Sequence, residues 1–229
     1  MIASTYACAL LGTAAVPVVV EASVERGLPR LTIIGLRQAD AVELRERVLS
    51  TMRTLGIDDV LARITVNLAP ADLPKAGASF DLPVLLAVLA AIGHVPGASV
   101  HNCAAHGELG LDGRVRAVMG TMAGAMLAAE QQWDQFIVAP GTARRAAHAP
   151  IPVIEVADAA ELVSHLRGTK LVAPSQVDGV HQQLPVDEFD LSDVRGAELG
   201  VEAIRVAAAG GHNLLMYGPP GCGKSMLAT

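Results

Sequence analysis

The residues with the clearest chemistry are Gly218-Pro219-Pro220-Gly221-Cys222-Gly223-Lys224-Ser225, which satisfy the spacing GxxxxGK[ST]. Glycines at these positions take backbone angles barred to other residues and let peptide N–H groups face an anion. A helix that begins at the loop aims its positive end at the same anion. Lys224 reads as the contact to β- and γ-phosphates, and Ser225 as the hydroxyl that ligates Mg²⁺. ATP and Mg²⁺ are the implied cofactors. Cys222 reads as a small spacer inside the loop, with a redox thiol as the weaker alternative.

A phosphate loop needs a strand before it and a helix after it. Residues 213–217 are apolar enough for that strand, a helix is expected over 197–209, and a new helix turn opens at Ser225. Further upstream, residues 4–10 and 16–24 read as a hairpin around Gly12-Thr13, and 31–34 and 63–68 as further strands. Residues 41–55 carry apolar side chains near 3.6 spacing and stop at Gly56. Residues 80–92 are almost uncharged, which predicts a helix buried on all sides. Short strands are expected at 104–107, 114–118, 135–138 and 153–156, and helices at 120–131, 141–147 and 157–166. Residues 167–188 carry Gly168, Pro174, Gly179 and Pro185, a linker composition. The fold class is mixed α/β, with domains expected at 1–166 and 189–229.

Composition narrows the function. The chain is 52% hydrophobic and only 3% aromatic, so its core is aliphatic, as suits buried strands under alanine-rich helices. Residues 1–170 hold 14 Lys/Arg against 16 Asp/Glu, and residues 171–229 hold 3 against 7. Neither part is basic, which argues against tight nucleic-acid binding by these residues alone. The three cysteines, Cys8, Cys103 and Cys222, show neither zinc spacing nor a disulfide framework. The apolar start lacks a basic residue before Arg26 and reads as strand. No stretch is long enough to span a bilayer, so a cytoplasmic protein without a membrane partner is expected.

Several longer motifs resemble one family. They are Tyr6-Ala7-Cys8-Ala9-Leu10-Leu11-Gly12, Arg26-Gly27-Leu28-Pro29, Thr32-Ile33-Ile34-Gly35-Leu36, and Arg63 to Leu73 through Asn67-Leu68-Ala69-Pro70-Ala71-Asp72. Ser79-Phe80-Asp81-Leu82-Pro83, Gly107-Glu108-Leu109 and residues 207–215 continue the match into the loop. Together they resemble the magnesium-chelatase-like AAA+ ATPases of the ComM/YifB family. The resemblance implies a Lon-protease-like domain of the ribosomal-protein type, followed by the first strand, loop and helix of a P-loop AAA+ module. It places Val194 and Gly196, within Asp193-Val194-Arg195-Gly196, near the adenine. For the complete family member it implies a homo-hexameric motor that migrates DNA branches during transformation. A chelatase-type metal-insertion ATPase and a non-catalytic interaction domain are the rival readings. The sequence holds no counterpart of the Walker B acids, sensors or arginine finger, so negligible ATP hydrolysis by the chain alone is expected.

The same resemblance puts Ser79 at the nucleophile position of Lon-type proteases. Such a serine needs a lysine base, and Met122 stands where the family carries it. Lys75 lies nearby in sequence but on the wrong element. The reading preferred for Ser79 is a helix N-cap, with Asp81 in the first turn, and no protease activity. His94, His101, His106 and His148 show no ligand spacing, and Glu108 reads as a turn residue.

Overall fold

A computed structural model describes residues 2–57, 62–75, 77–176, 191, 194–219 and 221–228. The chain divides into two compact units, Met1–Asp178 and Gly179–Thr229.

The first unit is built on a seven-stranded mixed sheet. Strands β1 (Ile2–Leu11) and β2 (Ala14–Arg26) form the expected hairpin, paired from Ile2↔Ser23 to Leu11↔Ala14. That register leaves Gly12 and Thr13 as a two-residue turn, and Gly12 takes φ +63°, the left-handed value such turns demand. Strand β3 (Arg30–Ile34) runs parallel to β4 (Ala62–Ala69), which pairs antiparallel with β2. On the other side β5 (Cys103–His106), β8 (Gln135–Val138) and β9 (Val153–Glu155) add in parallel. The order across the sheet is β3-β4-β2-β1-β5-β8-β9. A separate ribbon pairs β6 (Glu108–Leu109) with β7 (Val115–Arg116).

Side-chain alternation sends Ala7, Val18, Val20, Ile64, Val66 and Leu68 to one face, under α1 (Gln38–Thr54) and α2 (Asp81–Ala91). Every residue of α2 is buried, which accounts for its uncharged sequence. Leu82, Leu85, Leu86 and Leu89 are fully enclosed, each contributing about 1.5–3 kcal/mol of apolar burial. Helix α5 (Ala159–Leu166) joins this core through Leu162 and Leu166, and Asp158 caps it by accepting the Glu161 N–H at 2.9 Å. The opposite face carries Cys8, Ala104, Phe136 and Val138 beneath α3 (Thr121–Glu130) and α4 (Ala143–Ala146). Gly124 of α3 lets the layers close: a Cβ there would lie 2.7 Å from Cys8 Sγ and 2.8 Å from Phe136 Cζ.

Residues 167–176, the start of the expected linker, are hydrogen bonded to this unit. Val172 N–H donates to His165 Nδ1 at 3.1 Å, and Ser175 N–H to the Val153 carbonyl at 2.8 Å. The remainder, 177–188, lies outside the described residues. In the second unit, α6 (Glu198–Gly210) ends at Gly211 and α7 (Lys224–Ala228) starts inside the glycine loop.

Candidate functional site

The glycine loop connects residues 212–219 to α7. Gly221 and Gly223 take φ +82° and +81°, the backbone angles expected of such a loop. Lys224 opens the helix, and its ammonium donates to the carbonyls of Gly218 at 2.8 Å and Pro219 at 2.7 Å. Cys222 Sγ lies 3.4 Å from the same nitrogen. The ammonium thus curls over its own loop, satisfying carbonyls that line the turn. Pro220 lies outside the described residues, as does Asp193. Val194 donates its N–H to the Leu191 carbonyl at 3.3 Å, and Gly196 is exposed with φ +77°. Among the described residues no hydrogen bond ties either to the loop.

The expected strand over 213–217 does not form: these residues carry no regular secondary structure. A strand is defined by the ladder it shares, and no partner strand stands beside it among the described residues. Leu215 and Tyr217 are 91% and 100% exposed, and no described residue of this unit is buried.

The Ser79 region forms a second candidate. Ala9, Leu10, Pro74, Gly77, Ala78, Ser79, Val118 and Met119 line an open cleft of about 350 Å³. Ser79 is not the expected N-cap. A 3-10 turn, Ala78–Phe80, precedes α2, and neither segment has a side-chain cap. The turn is fixed by backbone instead: Gly107 N–H donates to the Ser79 carbonyl at 3.4 Å and Leu82 N–H to the Gly107 carbonyl at 3.1 Å.

Lys75 is 4% exposed and donates to the carbonyls of Pro70 and Leu73, the latter at 3.2 Å. Burial lowers its pKa from the ordinary lysine value, against the pull of Asp72. It lines a cleft with Gly35, Arg37 and Asp72, whereas Ser79 lines the other, and Pro74 borders both. Met122, where the resemblance places a lysine, is exposed and has no basic group to offer. Among the described residues no hydrogen bond links a basic side chain to the Ser79 hydroxyl, the contact that activation of a serine requires.

Two buried relationships escaped the sequence. Asp81, in the first turn of α2 as expected, is also fully enclosed and receives Arg47 through Nε–Oδ2 at 2.6 Å and Nη2–Oδ1 at 3.1 Å, with the Leu109 N–H at 3.0 Å. Burial pushes its carboxyl up to about 6, against the Arg47 and Leu109 hydrogen bonds that hold it down. Cys8 and His106, 98 residues apart, meet at 3.2 Å under the cleft wall, and His106 Nε2 reaches the Met119 carbonyl at 2.8 Å. Neither pairing has a local sequence signal. Glu108 pairs with Arg116 at 3.6 Å across the β6–β7 ribbon, holding that turn.

Comparison with known proteins fits this two-part organisation. The family model for subunit ChlI of Mg-chelatase matches residues 20–142, and that for magnesium chelatase, subunit ChlI, matches 190–229. The chain belongs to the ComM/YifB-type family of magnesium-chelatase-like proteins. It is 39% identical over 223 residues to the uncharacterized protein YifB of Escherichia coli, covering 96% of this chain and 43% of that protein. It is 34% identical over 238 residues to the competence protein ComM of Haemophilus influenzae, covering 100% of this chain and 45% of that protein. An uncharacterized Mycobacterium tuberculosis protein is 37% identical over 210 residues, 91% of this chain and 41% of its own length. The chain therefore spans less than half the length of these relatives. No helix among the described residues is long and apolar enough to cross a membrane.

Proposed function

We propose that the second unit supplies the phosphate-binding half of an AAA+ ATP site and that the first is a Lon-protease-like scaffold without protease chemistry. The observation that carries the reading is Lys224. It stands at the first position of a helix, behind two glycines in left-handed backbone, with its ammonium held by two loop carbonyls and the Cys222 sulfur of the same loop. Those carbonyls are weak partners for a full charge, and a phosphate oxygen is a stronger one. Nucleotide arrival would turn the ammonium outward onto the β- and γ-phosphates, while backbone N–H groups of 221–224 face the same anion. Ser225 would place its hydroxyl on Mg²⁺, the ion that neutralises charge on the phosphates when bound. Val194 and Gly196 would border the adenine.

For the complete protein we propose a homo-hexameric ATP-driven motor acting on DNA, the branch-migrating kind that the family resemblance implies. The competence name of the Haemophilus relative supports this direction. The chelatase name of the family models favours the second reading, a metal-insertion ATPase. Titration of the chain with a fluorescent ATP analogue, with and without Mg²⁺, tests the site. Lys224→Ala is expected to weaken binding by about tenfold or more, as loss of a charge-assisted phosphate contact does. Equal affinity in both proteins would count against the loop as the site. For the whole protein, ATP-dependent unwinding of a branched DNA substrate separates the motor from the chelatase.

A further inference from the structure

At the β3 end of the sheet, a cavity of about 220 Å³ opens between the C-terminal half of α1 and the starts of β3 and β4. Its lining is mainly apolar, from Leu31, Leu49, Met52 and Ile64, and two exposed arginines, Arg30 and Arg53, complete it. The volume falls below the roughly 300–1,000 Å³ of pockets that enclose drug-sized ligands. It suits one branched apolar side chain.

Arg63 is the register partner of Arg30 on β4 and is also exposed, so guanidinium groups gather at this end of a chain whose net charge is −6. Among the described residues none of the three takes part in an ion pair. Glu25, opposite Arg63 in register, makes none with it either.

Strand β3 is the sheet's edge. It bonds to β4 on one side, and among the described residues no strand pairs with the other. A free edge presents a row of N–H and C=O groups ready to receive another strand. An apolar cavity, unpaired guanidiniums and an open edge therefore occur together.

We infer that this end of the sheet docks an extended acidic peptide segment of a partner protein. The segment adds as a strand along β3, places one branched apolar side chain in the cavity, and pairs flanking carboxylates with Arg30 and Arg53. Guanidinium forks hold carboxylates through paired hydrogen bonds, which gives the charge preference. Backbone pairing gives affinity without sequence, and the cavity selects the anchor.

The test uses the whole 229-residue chain and a fluorescein-labelled, end-blocked peptide of alternating valine and glutamate with a central leucine, read by anisotropy up to about 1 mM. The expected result is saturable binding that weakens about tenfold or more when glutamine replaces glutamate, or when Arg30→Glu and Arg53→Glu are combined. Emission of Trp133, remote in sequence from these positions, reports that the double variant stays folded. Methylation of alternate peptide nitrogens should abolish binding, since it removes the ladder donors. Equal binding of acidic and neutral peptides overturns the proposal. Displacement by 4-methylvalerate at the concentration of the peptide itself overturns the strand-addition part. Binding of a single-stranded oligonucleotide but of no peptide overturns the partner class.

Discussion

Cys8 Sγ lies 3.2 Å from Nδ1 of His106, whose Nε2 lies 2.8 Å from the Met119 carbonyl. A carbonyl only accepts, so Nε2 carries the proton, and Nδ1 must accept the hydrogen of the Cys8 thiol. Both groups are thereby held neutral, and β1 is tied to β5 and to the wall of the Ser79 cleft. A thiol–imidazole contact of this kind resembles a nucleophile and its base, yet here it is structural: burial pushes the Cys8 thiol up to about 12 and lowers the His106 imidazole from its ordinary value.

That assignment predicts thiol reactivity. Thiolate is the reactive form, and buried, raised thiols supply almost none at neutral pH. Cys103 is likewise pushed up to about 12 by burial, whereas Cys222 is exposed in the glycine loop. Iodoacetamide at pH 7.5 should label Cys222 in the native chain and reach Cys8 and Cys103 only in denaturant. Peptide mass spectrometry reads this directly. Prompt native labelling of Cys8 would mean the pair is open to solvent and chemically competent.

The Arg47–Asp81 pair predicts a large mutational cost. Removing Arg47 leaves a carboxylate fully enclosed, with only the Leu109 N–H beside it. Arg47→Ala should cost about 3–5 kcal/mol in denaturant melts. Replacing both partners, Arg47→Met with Asp81→Leu, should recover most of that loss, because no uncompensated charge remains. A single variant no worse than the double would show that the pair is not buried in solution.

Stability should fall in mild acid. His94, His106 and His165 all have pKa values lowered below the ordinary 6.5, chiefly by burial. The unfolded chain then binds more protons than the folded one just below that value. The contribution is complete above pH 6.5 and is lost as pH falls through the lowered folded values. Asp81, raised to about 6, works the other way: its contribution is complete below the ordinary 3.8 and is lost as pH rises through 6. Urea melts between pH 7.5 and 5 should therefore show a downward slope with falling pH that becomes shallower in His106→Gln. An unchanged slope in that variant would remove His106 from the account.

The fold was legible wherever the signal was local. Alternation in 4–10 and 16–24 gave the hairpin, and the uncharged run at 80–92 gave a helix that is enclosed throughout. What stayed hidden depends on partners distant in sequence. Cys8 meets His106 only because β1 and β5 run side by side, and Asp81, in the first turn of α2 as expected, has a buried partner only because α1 brings Arg47 over it. The strand expected at 213–217 failed for the same reason in reverse: propensity without a neighbouring strand makes no ladder. The left-handed backbone of the glycine loop was legible because Gly221 and Gly223 stand where it is needed.

Ser79 separates scaffold from enzyme. As an N-cap its loss would cost about 0.5–2 kcal/mol, but the turn before α2 is held by the Ser79 and Gly107 backbones, with no side-chain cap. Alanine preserves both backbone bonds. Ser79→Ala is therefore expected to shift stability by no more than about 0.5 kcal/mol, the range of substitutions that break no specific contact. As a nucleophile its loss would abolish a reaction. That reaction needs a base, yet Lys75 is committed to the Pro70 and Leu73 carbonyls in a separate cleft, and position 122 is methionine. Casein and unfolded-peptide cleavage should be absent from wild type and variant alike. Cleavage by the wild type that vanishes in Ser79→Ala, at matched stability, would restore the protease and make Lys75 the first base to test. A melt shifted by more than about 1 kcal/mol without any cleavage would instead restore the cap.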